Sequence, residues 1–499
     1  MMTNNNIKQV TYRALLWSFI DRGGEQIIRF AFSILMARLL LPEHFGLVGI
    51  AYVITEVARV FVQSGFGFAL INKNDTNQTD ECSVFYFNIA IGAFATSVIF
   101  LSAPIIGKFY NNPSLIPVIK FLALNIILGS FGSIQTVLLT KKIEFRQQTK
   151  ASISATLISG IIGVILAFLN FEVWALVFQT LIRTLLHTIF LWFVHSWRPK
   201  ILFSFASLKK MFGFGSRILL NSIIQIIFNN LYMIIIGKIY NPIQLGYFTR
   251  ASQTQKLPLD TIWTIIGRVS FPVMSKMKDN SEKFIHVLTK ASINISFLVF
   301  PSLINCTIIA PLLFRVLFGE KWNSSISMFQ ILCIGNIFLP MEQLKGTAIL
   351  AKGHSNIHLN LQIFRYITMI VSVLFSLQYG INGMLLASGV SSYINFFLTC
   401  YYVEKKIGYK LTKQFTDIIP YILCAVFSGI AVMLAFSIKI ESGMLKMIFL
   451  IFVGLVTFLT CSYAIKLEAL SDNLEIFISF ISKTNIPFLR KIQFNSKLN

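Results

Sequence analysis

Long apolar runs broken by short polar loops recur along this chain almost from end to end. They fall at about 14–41, 45–71, 82–107, 115–139, 151–169, 173–194, 214–240, 245–272, 284–310, 326–350, 359–379, 382–403, 417–438 and 444–465. At about 1.5 Å of rise per residue, runs such as Ile153 to Leu169 and Leu445 to Thr460 are long enough to cross a hydrocarbon core of about 30 Å. The pattern therefore predicts an all-α polytopic membrane protein of about fourteen transmembrane helices. A membrane β-barrel is excluded, because its strands would alternate apolar and polar residues in segments of about ten.

The pattern is written twice. Arg38-Leu39-Leu40-Leu41-Pro42-Glu43-His44-Phe45-Gly46 shares its plan with Lys238-Ile239-Tyr240-Asn241-Pro242-Ile243-Gln244-Leu245-Gly246: a basic residue closes an apolar run, a Pro four positions on forbids more helix, and a Gly four further opens the next run. Ala103-Pro104 before Lys108-Phe109-Tyr110 is matched by Ala310-Pro311 before Arg315, and Leu138 to Lys142 by Ala348 to Lys352. Helices 1–6 and 7–12 are thus expected to be copies forming two six-helix lobes around a central cavity. Each copy holds an even number of helices, so the pseudo-two-fold axis runs along the membrane normal. The expected divisions are a cytoplasmic N-terminal segment at 1–13, an N-lobe at 14–194, a cytoplasmic linker at 195–213 and a C-lobe at 214–403. A basic loop with two extra helices at 404–465 and a cytoplasmic tail at 466–499 complete the chain.

Charge inside a membrane span costs a few kcal/mol per residue on insertion scales, so its placement is informative. Ser18, Arg22, Glu25, Gln26, Arg29 and Ser33 share about a third of the circumference of helix 1. Tyr52, Glu56, Arg59 and Gln63 line helix 2, Arg217, Asn221, Gln225 and Asn229 follow helix 7, and Arg250, Gln253, Asp260, Thr264 and Arg268 share helix 8 with Lys256 beside them. Gln179, Arg183 and His187 on helix 6, Glu342 and Lys345 on helix 10, and Arg365 on helix 11 add to the set. Glu25 with Arg29 and Glu56 with Arg59 are spaced for local ion pairs, which is one reading of these residues. The other starts from the excess of basic over acidic side chains: a cavity with surplus positive charge accepts a phosphate group, to which Arg forms forked hydrogen bonds. Asp21, Glu25, Glu56, Asp260 and Glu342 are the candidates for coupling to a proton or sodium gradient, Glu56 first among them.

Composition narrows the classes. Hydrophobic residues make up 55% of the chain and charged ones 13%, half the usual share for a soluble protein. The net charge of +23 does not point to nucleic acid, because Lys and Arg are dispersed over the loops. About two dozen of them fall on one side of the predicted bundle and about five on the other, which makes the basic side, with both termini, cytoplasmic. No cleavable signal is expected, because Asn4 to Arg13 is polar and the run after it is too long and too charged. The six Cys show no metal-ligand spacing and read as buried apolar residues, and His187 reads as a packed side chain rather than a ligand. Neither GxxxxGK[ST], HExxH nor GxSxG occurs, so no catalytic residue, metal or cofactor is expected. The outer loops are too short for a sugar polymerase or ligase, and a drug/cation antiporter would need an acidic lobe rather than an arginine excess.

Several of these residues carry a family likeness. Trp17-Ser18-Phe19 leading to Ala37-Arg38-Leu39-Leu40, Pro42-Glu43-His44-Phe45-Gly46-Leu47, and Gly65-Phe66-Gly67-Phe68-Ala69-Leu70-Ile71 resemble the start of Wzx-type polysaccharide flippases, in the branch containing the colanic acid exporter. So do Phe109-Tyr110 with Pro113, and Gly246-Tyr247-Phe248-Thr249-Arg250-Ala251 leading to Leu257-Pro258-Leu259 and Phe271-Pro272. The likeness covers about residues 10–410 and fades over the last two helices. It implies the multidrug/oligosaccharidyl-lipid/polysaccharide exporter fold, with two lobes around a V-shaped cavity and alternating access. It also implies a cargo of undecaprenyl-diphosphate-linked oligosaccharide moved across the bacterial inner membrane for O-antigen, capsule or exopolysaccharide synthesis, with a polymerase and chain-length machinery as partners. Related peptidoglycan lipid flippases use cavity arginines, one of them where Arg250 stands, while Arg29 and Arg59 match by helix and depth. Arg59 and Arg250 are accordingly expected to clamp the diphosphate, supported by Arg29 and Arg268, with Lys256, Arg183 and Arg365 also lining the cavity.

Overall fold

The computed structural model describes residues 24–63, 66–73, 75–142 and 144–471. The expected segment 1–13, Ser18, Asp21, Arg22 and the tail beyond Ser471 lie outside the described residues, as do the side chains of Arg217, Thr264 and Arg268.

Helices succeed one another in the order of the apolar runs. They are α1 (Glu25–Leu39), α2 (Pro42–Gln63), α3 (Phe66–Asn72), α4 (Gln78–Phe109), α5 (Leu115–Lys141), α6 (Phe145–Phe168), α7 (Val173–Val194), α8 (Phe205–Asn229) and α9 (Leu231–Ile239). There follow α10 (Pro242–Lys276), α11 (Ser281–Leu317), a 3-10 turn at Glu320–Trp322, α12 (Ser324–Gly335), α13 (Leu339–Ala351), α14 (Ser355–Ser376), α15 (Gly380–Ile407), α16 (Leu411–Thr416), α17 (Ile419–Ala435) and α18 (Gly443–Ala464). Among the described residues there is no strand.

The count of fourteen spans is not reached on length and apolarity. Ten described helices pass, or eleven if α8 and α9, bent by 48° at Asn230, form one span. The physical reasons are specific. α10 carries Arg250, Lys256 and Asp260 along its length, and only fifteen residues of the first helix are described. One of the ten is the 53-residue run of α14 and α15, more than twice the roughly 20 residues that a single crossing needs.

The chain divides into two compact units within α10. One holds the described residues up to Arg250 together with Leu317–Trp322; the other holds Ala251–Val316 and the described residues from Asn323 on. In the first unit, Phe66, Leu70, Val84, Phe85, Ile134 and Leu138 form a core between α3, α4 and α5. Close helix packing there relies on missing side chains: a Cβ on Gly160 of α6 would lie 2.3 Å from the Phe32 ring of α1. In the second unit, Phe338 stacks on Phe396 with centroids 4.5 Å apart, and a Cβ on Gly335 of α12 would lie 2.9 Å from the Gly389 Cα of α15. The two C-terminal helices are fixed to α11 by a polar bridge. Asn305 Nδ2 donates to Ser428 Oγ at 3.0 Å, and Ser428 Oγ donates to the Gly454 carbonyl at 2.7 Å.

The repeated hairpins are alike in detail. Leu40 N–H closes α1 on the Met36 carbonyl, and Tyr240 N–H closes α9 on the Ile236 carbonyl. Pro42 and Pro242 then open the next helices, where a missing N–H costs nothing. The two hairpins touch reciprocally. A Cβ on Gly46 would stand 1.9 Å from the Pro242 carbonyl oxygen, and a Cβ on Gly246 would stand 1.9 Å from that of Pro42.

Candidate functional site

The first unit gathers charge on three helices. Glu25, in the first turn of α1, accepts from Arg29 on the same helix, from Arg183 of α7 at 3.2 Å, and from the hydroxyls of Ser152 and Thr156 of α6. The i,i+4 spacing makes the first contact, and the close approach of α6 at Gly160 makes the hydroxyl contacts. On α2, Arg59 Nη2 donates to Glu56 at 2.5 Å. Arg29 and Arg59 both act through space on Arg183, so the two groups form one electrostatic cluster of three arginines and two glutamates. Both acids are mostly sheltered, at 14% and 19% exposure, whereas Arg29 remains 57% exposed.

Arg250 takes a different setting. It is 1% exposed, donates to Ser33 Oγ of α1, and lies with its guanidinium carbon 4.5 Å from the Phe45 ring centroid, 5.0 Å from Phe318 and 5.2 Å from Trp322. The rings come from two stretches, the hairpin after α1 and the turn after α11. That turn is tied to the end of α1: Trp322 Nε1 donates to the Ala37 carbonyl at 2.9 Å, Lys321 Nζ to the Arg38 carbonyl at 2.8 Å, and Arg38 Nε to the Leu317 carbonyl at 2.8 Å. All three of these bonds satisfy carbonyls that a helix end leaves open. On the other repeat, Lys238 donates to the Phe109 carbonyl at the end of α4, so the basic residue that closes each hairpin's first helix serves the same purpose.

In the second unit, Arg365 of α14 forks onto Glu342 of α13, its Nε at 3.0 Å from Oε1. One turn along α13, Lys345 is 1% exposed, donates to Cys400 Sγ at 3.0 Å and lies 4.7 Å from the Phe396 ring centroid. Lys256 and Asp260 stand a turn apart on α10, both exposed. Of the expected residues, then, the structure brings together Glu25, Arg29 and Arg183, Glu56 and Arg59, and Glu342 and Arg365. Asp21 and the Arg268 side chain lie outside the described residues. Helical periodicity does not single out Ser152, Thr156 or the aromatic cage around Arg250. Nothing local distinguishes Phe45, Phe318 or Trp322 from the many other aromatic residues. Among the described residues no His, Cys, Asp and Glu converge as a metal site would require.

A family model described as "Polysaccharide biosynthesis protein" matches residues 35–327. The chain is 25% identical to the lipopolysaccharide biosynthesis protein WzxC of Escherichia coli (strain K12) over 374 residues, 73% of this chain and 75% of that one. It is 27% identical over 309 residues to the teichuronic acid biosynthesis protein TuaB of Bacillus subtilis (strain 168), 61% of this chain and 63% of that one. Among solved structures, the lipid II flippase MurJ in an inward closed conformation superposes with a TM-score of 0.73 at 14% identity, over 90% of this chain and 98% of that one, which shows a shared fold.

Proposed function

Because this chain belongs to the polysaccharide biosynthesis protein family, matched over residues 35–327, we propose that it is a flippase for undecaprenyl-diphosphate-linked oligosaccharide. It moves the repeat unit from the cytoplasmic to the periplasmic leaflet of the bacterial inner membrane by alternating access, with both termini cytoplasmic. A polymerase and its chain-length machinery take the cargo on the far side, and no catalytic step is assigned to this chain.

The observation that carries this reading is the arginine excess around two sheltered glutamates. Glu25 is engaged by Arg29 and Arg183 and Glu56 by Arg59, three guanidinium groups to two carboxylates. Surplus charge in a membrane span is costly, so it is retained where an anion uses it. A lipid diphosphate is such an anion, and Arg29, which stays exposed, offers a free face for forked hydrogen bonds. The relatives are named for two different polymers. A family serving different sugars is best recognised through what its cargoes share, the lipid-linked phosphate end.

Arg59 holds one side of the diphosphate, with Arg29 and Arg183 beside it. Arg250 holds the other in a state in which its aromatic cage has opened. Glu56 is the first candidate to couple an ion gradient, since its protonation would release Arg59 to the cargo. Export measured beside membrane abundance tests the assignment. Arg59→Lys should keep part of the export, because a point charge survives although the fork is lost, whereas Arg59→Gln should abolish it at normal abundance. If instead Arg59→Ala lowers abundance and Glu56→Gln restores both abundance and export, Arg59 is a structural partner alone. Normal export by a stable Arg59→Ala, Arg250→Ala double variant would end the clamp.

A further inference from the structure

The segment between α7 and the bend in α8 leaves apolar side chains uncovered although its backbone is firmly held. Lys200 N–H donates to Cys82 Sγ at 3.3 Å, Ser204 N–H donates to Ser83 Oγ at 2.8 Å, and the Tyr86 hydroxyl donates to the Lys200 carbonyl at 3.2 Å. Pinned in this way to the first turns of α4, the strap presents Ile201 at 99% exposure. Phe203 and Phe205 meet edge to face with centroids 5.2 Å apart, and both remain exposed.

The start of α8 continues this surface. At 100° per residue, Met211, Leu208, Phe212 and Phe205 fall on one arc of about 120°. Leu208 and Met211, on one part of the arc, are buried in the core with Phe66, Leu70 and Val84. Phe212 and Phe205, on the other part, are 59% and 79% exposed, so the apolar face of the helix is wider than the protein that covers it. Lys209 and Lys210 lie beyond the arc, both exposed. Lys210 also lines, with Lys73, Asn72, Ala69 and Met211, a cavity of about 330 Å³. Single exposed apolar residues are ordinary, but five of them within twelve positions on a pinned backbone, next to three lysines, form a patch of defined chemistry. The stretch is too short and too charged to span. Its pattern is that of a helix lying in the plane of an interface, aromatic side chains inward and lysines toward headgroups. The surplus of basic residues on this side of the predicted topology makes an anionic surface the complementary partner.

We propose that residues 200–213 form an interfacial anchor seated in an anionic phospholipid leaflet, with Ile201, Phe205 and Phe212 among the acyl chains and Lys200, Lys209 and Lys210 on the phosphates. The anchor joins the two repeats, so it holds their connection at a fixed depth.

Spin labels measure that depth directly. The six native Cys are replaced first, with Cys82→Ser to keep an acceptor for Lys200 N–H, and Ile201→Cys, Phe205→Cys and Lys209→Cys are then labelled one at a time in full-length protein in phosphatidylglycerol nanodiscs. Labels at 201 and 205 should be open to oxygen and shielded from an aqueous nickel chelate, at a depth of about 5–10 Å, with the reverse at 209. The depth at 201 and 205 should become shallower in phosphatidylcholine discs and in a Lys200→Gln, Lys209→Gln, Lys210→Gln variant in phosphatidylglycerol. A label at 201 as open to the chelate as one at 209 would overturn the proposal and leave the patch as a face for a protein. Equal depth in both lipids and in the lysine variant would overturn its headgroup part.

Discussion

Three aromatic rings within 5.2 Å and the Ser33 hydroxyl pack against the flat Arg250 guanidinium. Lysine keeps the charge but not the plane, so Arg250→Lys should lower the unfolding midpoint in detergent by an amount corresponding to about 1–2 kcal/mol. Arg250→Ala should cost more, on the order of 3 kcal/mol, because it also empties a fully buried volume. Glu25 makes the opposite case, an acid serving two cations. Glu25→Gln should destabilise the first unit by leaving Arg29 and Arg183 facing each other, and adding Arg183→Gln should recover part of the loss. A thermal-unfolding double-mutant cycle over these two positions should show a coupling of about 1–3 kcal/mol, and strict additivity would remove the pair from the cluster.

Between elements, the informative contact is the reciprocal one at the starts of α2 and α10. Gly46 and Gly246 each face the other helix's proline carbonyl, and backbone cannot yield as a side chain can. Either Gly46→Ala or Gly246→Ala should push these helix starts apart and lower stability by about 1–3 kcal/mol. Gly237→Ala is the matched control. Its added Cβ would meet the flexible Ile50 side chain at 3.1 Å, and the change should cost distinctly less. Unfolding midpoints of the three variants, measured together, decide whether this packing governs the hairpins.

For the whole molecule, the alternation of basic loops makes a testable map. In intact cells and a background without native Cys, Gln148→Cys and Lys410→Cys should resist a membrane-impermeant thiol reagent, while Asn112→Cys and Ser442→Cys should label. The reverse pattern would invert the direction of transport. Energy coupling belongs at this scale too, because no nucleotide motif is present. Reconstituted protein should flip cargo more slowly once proton and sodium gradients are collapsed, with Glu56→Gln already slow in their presence. An unchanged rate would remove the acids from the cycle.

Fold class and the duplicated hairpin were legible in the residues alone, because lipid imposes long apolar helices and because proline and glycine leave the same mark wherever a chain must turn and pack closely. The i,i+4 pair Glu25 and Arg29 and the i,i+3 pair Glu56 and Arg59 were legible for a similar reason: helix geometry alone sets such neighbours. Which helix supplies the next partner is another matter. That Arg183 of α7 and two hydroxyls of α6 complete the Glu25 site, that Arg365 of α14 reaches Glu342 of α13, and that Phe318 and Trp322 close over Arg250 all depend on contacts between segments far apart in sequence. Local periodicity says which face of a helix is polar. Only tertiary packing, by bringing one helix against another where glycine permits it, decides what that face meets.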